Sequence, residues 1–152
     1  MKPHVLIVEA RYYEAINDAL LQGATAELER RGASWQKVVV PGAFEIPATI
    51  RFAVKAMHLV DSRRRYDAYI ALGCVIRGET THYDHICAEV ARGLMQLSLD
   101  FSVAVGFGVL TVENEQQAWA RADVARKNKG GEAARAALDM VEVKRHFGFF
   151  PR

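Results

Sequence analysis

The chain has too few cysteines for a disulfide scaffold, no apolar run long enough to span a bilayer, and almost no surplus of one charge. Its two cysteines, Cys74 and Cys87, sit in apolar surroundings. The opening "MKPHVLIVEA" lacks the long apolar core and small-residue cleavage site of a secretion signal. Free thiols in a reducing cytoplasm are therefore expected. Lys and Arg total 20 against 18 Asp and Glu, a formal charge of +2. A nucleic-acid-binding domain normally carries a pronounced basic excess, so this balance argues against one. The cationic runs at 63–65 and 126–129 are too short to change that, and the first reads as solvated loop. His82 and His85 are three apart, but no second ligand pair accompanies them, so no metal is expected.

What is present is a 152-residue chain, half of it hydrophobic, enough for one domain over residues 1–152 with a real core. Four β-rich runs stand out, at 4–10, 34–40, 67–76 and 101–110. Each is nearly continuously apolar rather than alternating, the mark of strands covered on both faces. Between them lie helical stripes: Ile16, Leu20, Ala24 and Leu28, stopped by Gly32; Ile46, Ile50, Val54 and Met57, with Pro47 in the first turn; and Ile86, Val90, Leu94 and Leu97. Thr81 and Asp84 have the spacing of a capping box at the start of the third. Asn114 with Gln117 opens a fourth helix, and Ala133, Ala137, Met140 and Val141 mark a fifth, with the glycines of "KNKGG" interrupting the helix between them. Alternating strands and helices imply an α/β three-layer sandwich: a four-stranded parallel sheet with right-handed crossovers and helices on both faces. So small a sheet leaves edges and apolar helix faces that self-association would cover.

Ligands of open α/β sheets bind outside the carboxyl ends of the strands. Here those ends read "EARYY" (9–13), "PGAFE" (41–45), "GCVIRGETTH" (73–82) and "GFGVLTVEN" (106–114). Tyr12 and Tyr13 open a helix, where one ring packs on the sheet rim or stacks on a flat heterocycle. Gly42 permits close backbone approach. Glu45 in a first helical turn either complements the helix dipole or accepts hydrogen bonds from a polyhydroxyl chain. Gly78 to Thr81 leads into a helix N-terminus whose free N–H groups and threonine hydroxyls suit phosphate, although an ordinary capped helix would look the same. His82, one residue inside, is a candidate for proton transfer. Cys74 lies within a strand, and "GCVIRG" does not form the elbow that exposes a nucleophile, so a catalytic cysteine is not expected.

Four stretches, "PGAFEIP", "ALGCVIRGETTHYDHI", "GVLTVENEQQAWARA" and "NKGGEAARAAL", closely resemble the lumazine synthase family, in order from about residue 4 to residue 147. The resemblance implies a flavodoxin-like fold in a homopentamer with active sites shared between neighbouring subunits. It also implies condensation of 5-amino-6-(D-ribitylamino)uracil with 3,4-dihydroxy-2-butanone 4-phosphate, losing water and phosphate, with no cofactor. By the same resemblance Tyr12 would stack on the pyrimidine. Ala43, Phe44 and Glu45 would hold the ribityl chain, and Cys74, Val75 and Ile76 would line the ring pocket. Glu79 and Thr80 would bind phosphate, and His82 would move protons. From the neighbouring subunit Phe107 would close over the ring, Arg121 would pair with phosphate, and Lys129 would sit nearby.

Two other readings share this scaffold: a flavin- or lumazine-binding protein without turnover, and a flavodoxin-like FMN electron carrier. Arg121, Thr80 and His82 together favour the enzyme over the first of these, because a pure flavin binder needs no phosphate clamp. The FMN carrier would instead hold a yellow chromophore and leave the butanone phosphate unconsumed. Where many members carry a lysine, this chain has Ala125, followed by Arg126 and Lys127. Those cations, expected to continue the helix, together with a short N-terminal arm before the first strand, lead to the expectation of a free homopentamer rather than a larger shell.

Overall fold

Side-chain alternation along the first strand divides the interior in two. In β1 (His4–Ala10), Val5 and Ile7 enter one core and Leu6 and Val8 the other, all four buried. The computed structural model describes residues 2–59 and 65–149. After β1 come α1 (Glu14–Arg30), β2 (Ser34–Val40), a 3-10 turn (Ala43–Glu45), α2 (Ile46–Leu59), β3 (Ala68–Ile76), α3 (His82–Phe101), β4 (Ala104–Val112), α4 (Glu115–Ala122) and α5 (Lys129–His146). The strands form one parallel sheet in the order β2-β1-β3-β4. Helices α1, α4 and α5 bury their apolar stripes against one face, α2 and α3 against the other. This is the three-layer α/β sandwich that the alternation implied, in the flavodoxin-like arrangement that the family resemblance implied.

The stripes behave as amphipathic helices should. Ile16, Leu20, Ala24 and Leu28 are all buried, and Gly32 at φ 75° follows the helix end. Ile46, Ile50 and Val54 fill the second core with Val90, Leu94 and Leu97, while Met57 and Ile86 are partly buried. Pro47 is the second residue of α2, where its missing N–H costs nothing. At the start of α4 the Asn114 side chain accepts from the Gln117 N–H at 2.9 Å, and the Gln117 side chain accepts from the Glu113 N–H at 2.8 Å. The expected cap is there.

Several expectations need correction. Strand β2 is not covered on both faces: among its residues only Val40 is buried, and Val38 and Val39 are exposed, because β2 is an edge strand. Residues 101–103 are not strand; α3 runs to Phe101 and ends at Ser102 in the left-handed region, so β4 begins at Ala104. Met140 faces outward and Leu138 takes the core position. Of the run at 63–65, Arg65 is exposed and 63 and 64 lie outside the described residues.

The α4–α5 connection differs most. The glycines of "KNKGG" do not interrupt a helix; Gly130 and Gly131 lie in the first turn of α5. A Cβ on Gly130 would stand 2.0 Å from the Leu20 carbonyl oxygen, so glycine is what lets α5 seat on the backbone of α1. Asn128, at φ 47°, caps the helix by accepting from the Gly131 N–H at 3.2 Å. Nor do Arg126 and Lys127 continue α4. The Arg126 and Asn128 N–H groups both donate to the Asp123 carbonyl, at 3.0 and 3.1 Å, closing a compact turn.

Candidate active site

Strand order creates the site. The β1–β3 ladder ends at the pair Glu9–Leu72, but β3 continues to Ile76 alongside β4. The chain leaves β1 toward β2 and leaves β3 toward β4, so the connections diverge and open a crevice at the carboxyl ends. A cavity of about 670 Å³ occupies it, a size suited to a drug-sized ligand.

Each wall comes from a separate connection. The β1–α1 connection supplies Tyr12 and Tyr13, the β2–α2 connection Gly42 to Glu45, the last turn of β3 Cys74 to Ile76, and the β3–α3 connection Gly78, Thr80, His82, Tyr83 and Ile86. Tyr12 is 78% exposed, an aromatic face with little of its own chain against it. Behind it Arg11 holds three carboxylates: the fully buried Glu9, Asp18, and Glu14 at 2.8 Å. The bond to Glu9 above all raises the Arg11 pKa, and the cluster fixes the connection that carries both tyrosines.

Glu45 lies in a first helical turn as expected, that of the short 3-10 helix running into α2, and its carbonyl accepts from the Thr49 hydroxyl at 2.8 Å. Cys74 forms part of the floor. Burial pushes its thiol up to about 12, so it is neutral and non-nucleophilic, a pocket wall. Cys74 and Cys87 are both free thiols.

At the fourth wall the expected capping box does not form. Thr81 is the N-cap of α3, but its side chain makes no capping bond. Asp84 instead turns to Arg77, whose Nη1 and Nη2 donate to its two oxygens at 3.3 and 3.1 Å. The first N–H of the helix, that of His82, donates only to the Thr80 hydroxyl at 3.3 Å. The turn thus keeps the N–H and hydroxyl groups that suit an anion.

Of the residues expected from the sequence, Tyr12, Ala43, Phe44, Glu45, Cys74, Val75, Ile76, Thr80 and His82 line this one cavity. Glu79, Phe107, Arg121 and Lys129 do not. Glu79 is exposed in the turn. Phe107 stands 49% exposed midway along β4, opposite Ala71. Arg121 donates to its own helix, at the Gln117 carbonyl 3.0 Å away, and Lys129 pairs with Glu132 at 3.1 Å. Ala10, Tyr83 and Ile86 line the pocket without having been singled out. Ile86 opens an apolar stripe, and a stripe alone does not separate core from pocket wall. Tyr83 was findable, because a helix starting at His82 puts its neighbour in the same turn.

Among the described residues no group of three or more His, Cys, Asp or Glu could hold a metal ion, and no helix is long and apolar enough to cross a membrane.

Residues 2–145 match the profile of a family described as 6,7-dimethyl-8-ribityllumazine synthase. A protein of that name from Bartonella tribocorum is 54% identical over 147 residues, covering 97% of this chain and 93% of the relative. One from Sphingopyxis alaskensis is 54% identical over 145 residues, 95% and 97% of the two chains. One from Paramagnetospirillum magneticum is 51% identical over 144 residues, 95% and 96%.

Proposed function

The chain belongs to the 6,7-dimethyl-8-ribityllumazine synthase family, and we propose how its own residues divide the work. It is a transferase of riboflavin biosynthesis that condenses 5-amino-6-(D-ribitylamino)uracil with 3,4-dihydroxy-2-butanone 4-phosphate, releasing water and phosphate. One observation supports the division of roles. An exposed aromatic face, a carboxylate, and a helix start whose Thr81 side chain makes no capping bond, with Thr80 and His82 beside it, all meet at the same cavity.

Tyr12 stacks on the pyrimidine, and the backbone of Val75 and Ile76, beyond the end of the β1–β3 ladder, faces its edge. Ala43 and Phe44 flank the ribityl chain and Glu45 accepts hydrogen bonds from its hydroxyls. The Thr80 hydroxyl and the backbone N–H groups of the turn, that of Glu79 among them, grip the phosphate, where an anion also meets the positive end of the helix dipole. His82, beside that anion, takes and returns protons during imine formation and phosphate elimination. The amine is already a good nucleophile. Holding it against the ketone is therefore the main catalytic contribution, and orientation of this kind supplies several kcal/mol.

The functional unit is a cytoplasmic homopentamer. Its neighbouring subunit brings Phe107, Arg121 and Lys129, which do not line the cavity of their own chain. Exposed Val38, Val39, Phe52, Met95 and Leu99 give such an assembly apolar surface to bury. The compact α4–α5 turn removes one ground for expecting that pentamers stay apart, the helix that Arg126 and Lys127 were expected to continue.

Purified protein mixed with both substrates should produce lumazine absorbance and stoichiometric inorganic phosphate. A yellow protein that yields neither would instead be a flavin or lumazine binder.

A further inference from the structure

Arg77 is the first residue after β3 and lies outside the cavity lining, yet it touches β4, the connection after it and α3, all beside the phosphate turn. Its backbone N–H donates to the Val112 carbonyl at 2.9 Å, extending the β3–β4 ladder by one bond. Its Nε donates to Glu113, just past β4, at 2.7 Å. The other two guanidinium nitrogens hold both oxygens of Asp84, and the guanidinium carbon sits 4.3 Å from the centroid of the Tyr83 ring. Asp84 and Glu113 are the largest sources of the raised Arg77 pKa.

The Asp84 position gives this network its meaning. It is the third residue of α3, where a carboxylate ordinarily folds back on the helix start and stabilises its positive end. An aspartate doing so here would occupy, with its negative charge, the ground assigned to the substrate phosphate.

We propose that Arg77 is a positioning residue for phosphate binding: it draws the Asp84 carboxylate away from the α3 N-terminus and anchors that turn to the end of β4 through Glu113. The inference rests on the reading of the Gly78–Thr81 turn as the phosphate site. Lysine cannot replace the arginine fully, because the planar fork serves Asp84 with two nitrogens while a third serves Glu113.

The test is a charge rescue. Arg77→Gln should raise the KM for the butanone phosphate about tenfold and leave the KM for the pyrimidine within about twofold. Arg77→Lys should fall between parent and Arg77→Gln. Adding Asp84→Asn to Arg77→Gln should return the KM for the butanone phosphate most of the way to the parent value, since the offending carboxylate is gone. A double variant as weak as Arg77→Gln, or weaker, would overturn the proposal and make Arg77 a scaffold residue only. Should Arg77→Gln fail to fold by circular dichroism, Asp84→Asn alone decides: its KM for the butanone phosphate should not exceed that of the parent, and a rise overturns the idea. Inorganic phosphate with the parent enzyme separates this failure from that of the underlying reading. If phosphate does not compete with the butanone phosphate, and Thr80→Ala leaves that KM unmoved, the phosphate site itself is misassigned.

Discussion

The ring of Tyr13 meets that of Tyr12 edge-on, with 4.8 Å between centroids and 76° between planes. Tyr13 is half-buried against the first core, whereas Tyr12 stands free. One ring is therefore anchored and props the other as a platform, a favoured arrangement for an aromatic pair. Stacking a base on an aromatic side chain is worth about 1–3 kcal/mol. Tyr12→Ala should weaken the pyrimidine by roughly five- to 150-fold while changing the KM for the butanone phosphate little, and Tyr12→Phe should be close to silent. Steady-state kinetics with each substrate varied in turn makes the distinction.

His82→Ala should lower turnover by tenfold or more with pyrimidine binding nearly intact. General acid–base help typically supplies ~10²–10⁴-fold, and solvent and the departing phosphate replace part of it. Turnover unchanged across a range of pH would make His82 a wall residue.

Shared sites have a genetic signature. Arg121→Ala should raise the KM for the butanone phosphate about ten- to a hundredfold, as expected for a lost charge-assisted bond of ~1.5–3 kcal/mol. Thr80→Ala damages the same function from the other side. In a ring assembled from equal amounts of the two variants, roughly a quarter of the sites pair an intact Thr80 with an intact neighbouring Arg121. Co-refolded mixtures should thus show a high-affinity fraction that neither variant shows alone. Its absence would mean that Arg121 does not act across a subunit boundary.

The Glu9 carboxylate is fully buried, with Arg11 bonded to one oxygen and Lys37 3.9 Å from the other. Removing one partner of a buried pair strands the remaining charge and costs about 3–5 kcal/mol. Arg11→Met should lower the denaturant midpoint accordingly, and Glu9→Gln added to it should recover part of the loss.

High pH should destabilise the fold through groups that burial keeps neutral. Cys74 is pushed up to about 12, and burial also raises Tyr69. Their unfolded counterparts ionise near ~8.5 and ~10. A pKa raised in the folded state gives stability that is intact below the unfolded value and lost as pH climbs toward the folded one. Thermal midpoints should hold to about pH 8 and then decline with a slope that Cys74→Ala makes shallower.

Much of this was legible in the chain. The bounds of the strands at 4–10 and 34–40 were readable from their apolar, β-branched composition, and the stripe from Ile16 to Leu28 because helical periodicity reports burial directly. The family resemblance likewise gave nine residues that meet in one cavity, eight of them within the quoted motifs and Tyr12 outside them. What escaped detection depended on distant partners. The spacing of Thr81 and Asp84 is that of a capping box, but Arg77 competes for the carboxylate, and no local pattern reveals the competitor. Gly130 read as a helix breaker because the Leu20 carbonyl that requires it lies 110 positions earlier in the sequence. The apolar run of β2 looked covered on both faces because composition records that residues are apolar, not that their strand lies at the edge of the sheet.

That strand sets a condition on making the protein. On the proposed homopentameric reading, a freshly folded subunit presents an edge strand of its sheet with Val38 and Val39 uncovered, and such an edge pairs with whatever strand it meets first. Correct neighbours and tangled ones compete for it, and both encounters quicken with concentration. Refolding therefore has a window: too dilute and the edges stay bare, too concentrated and they bind the wrong strands before the right ones arrive.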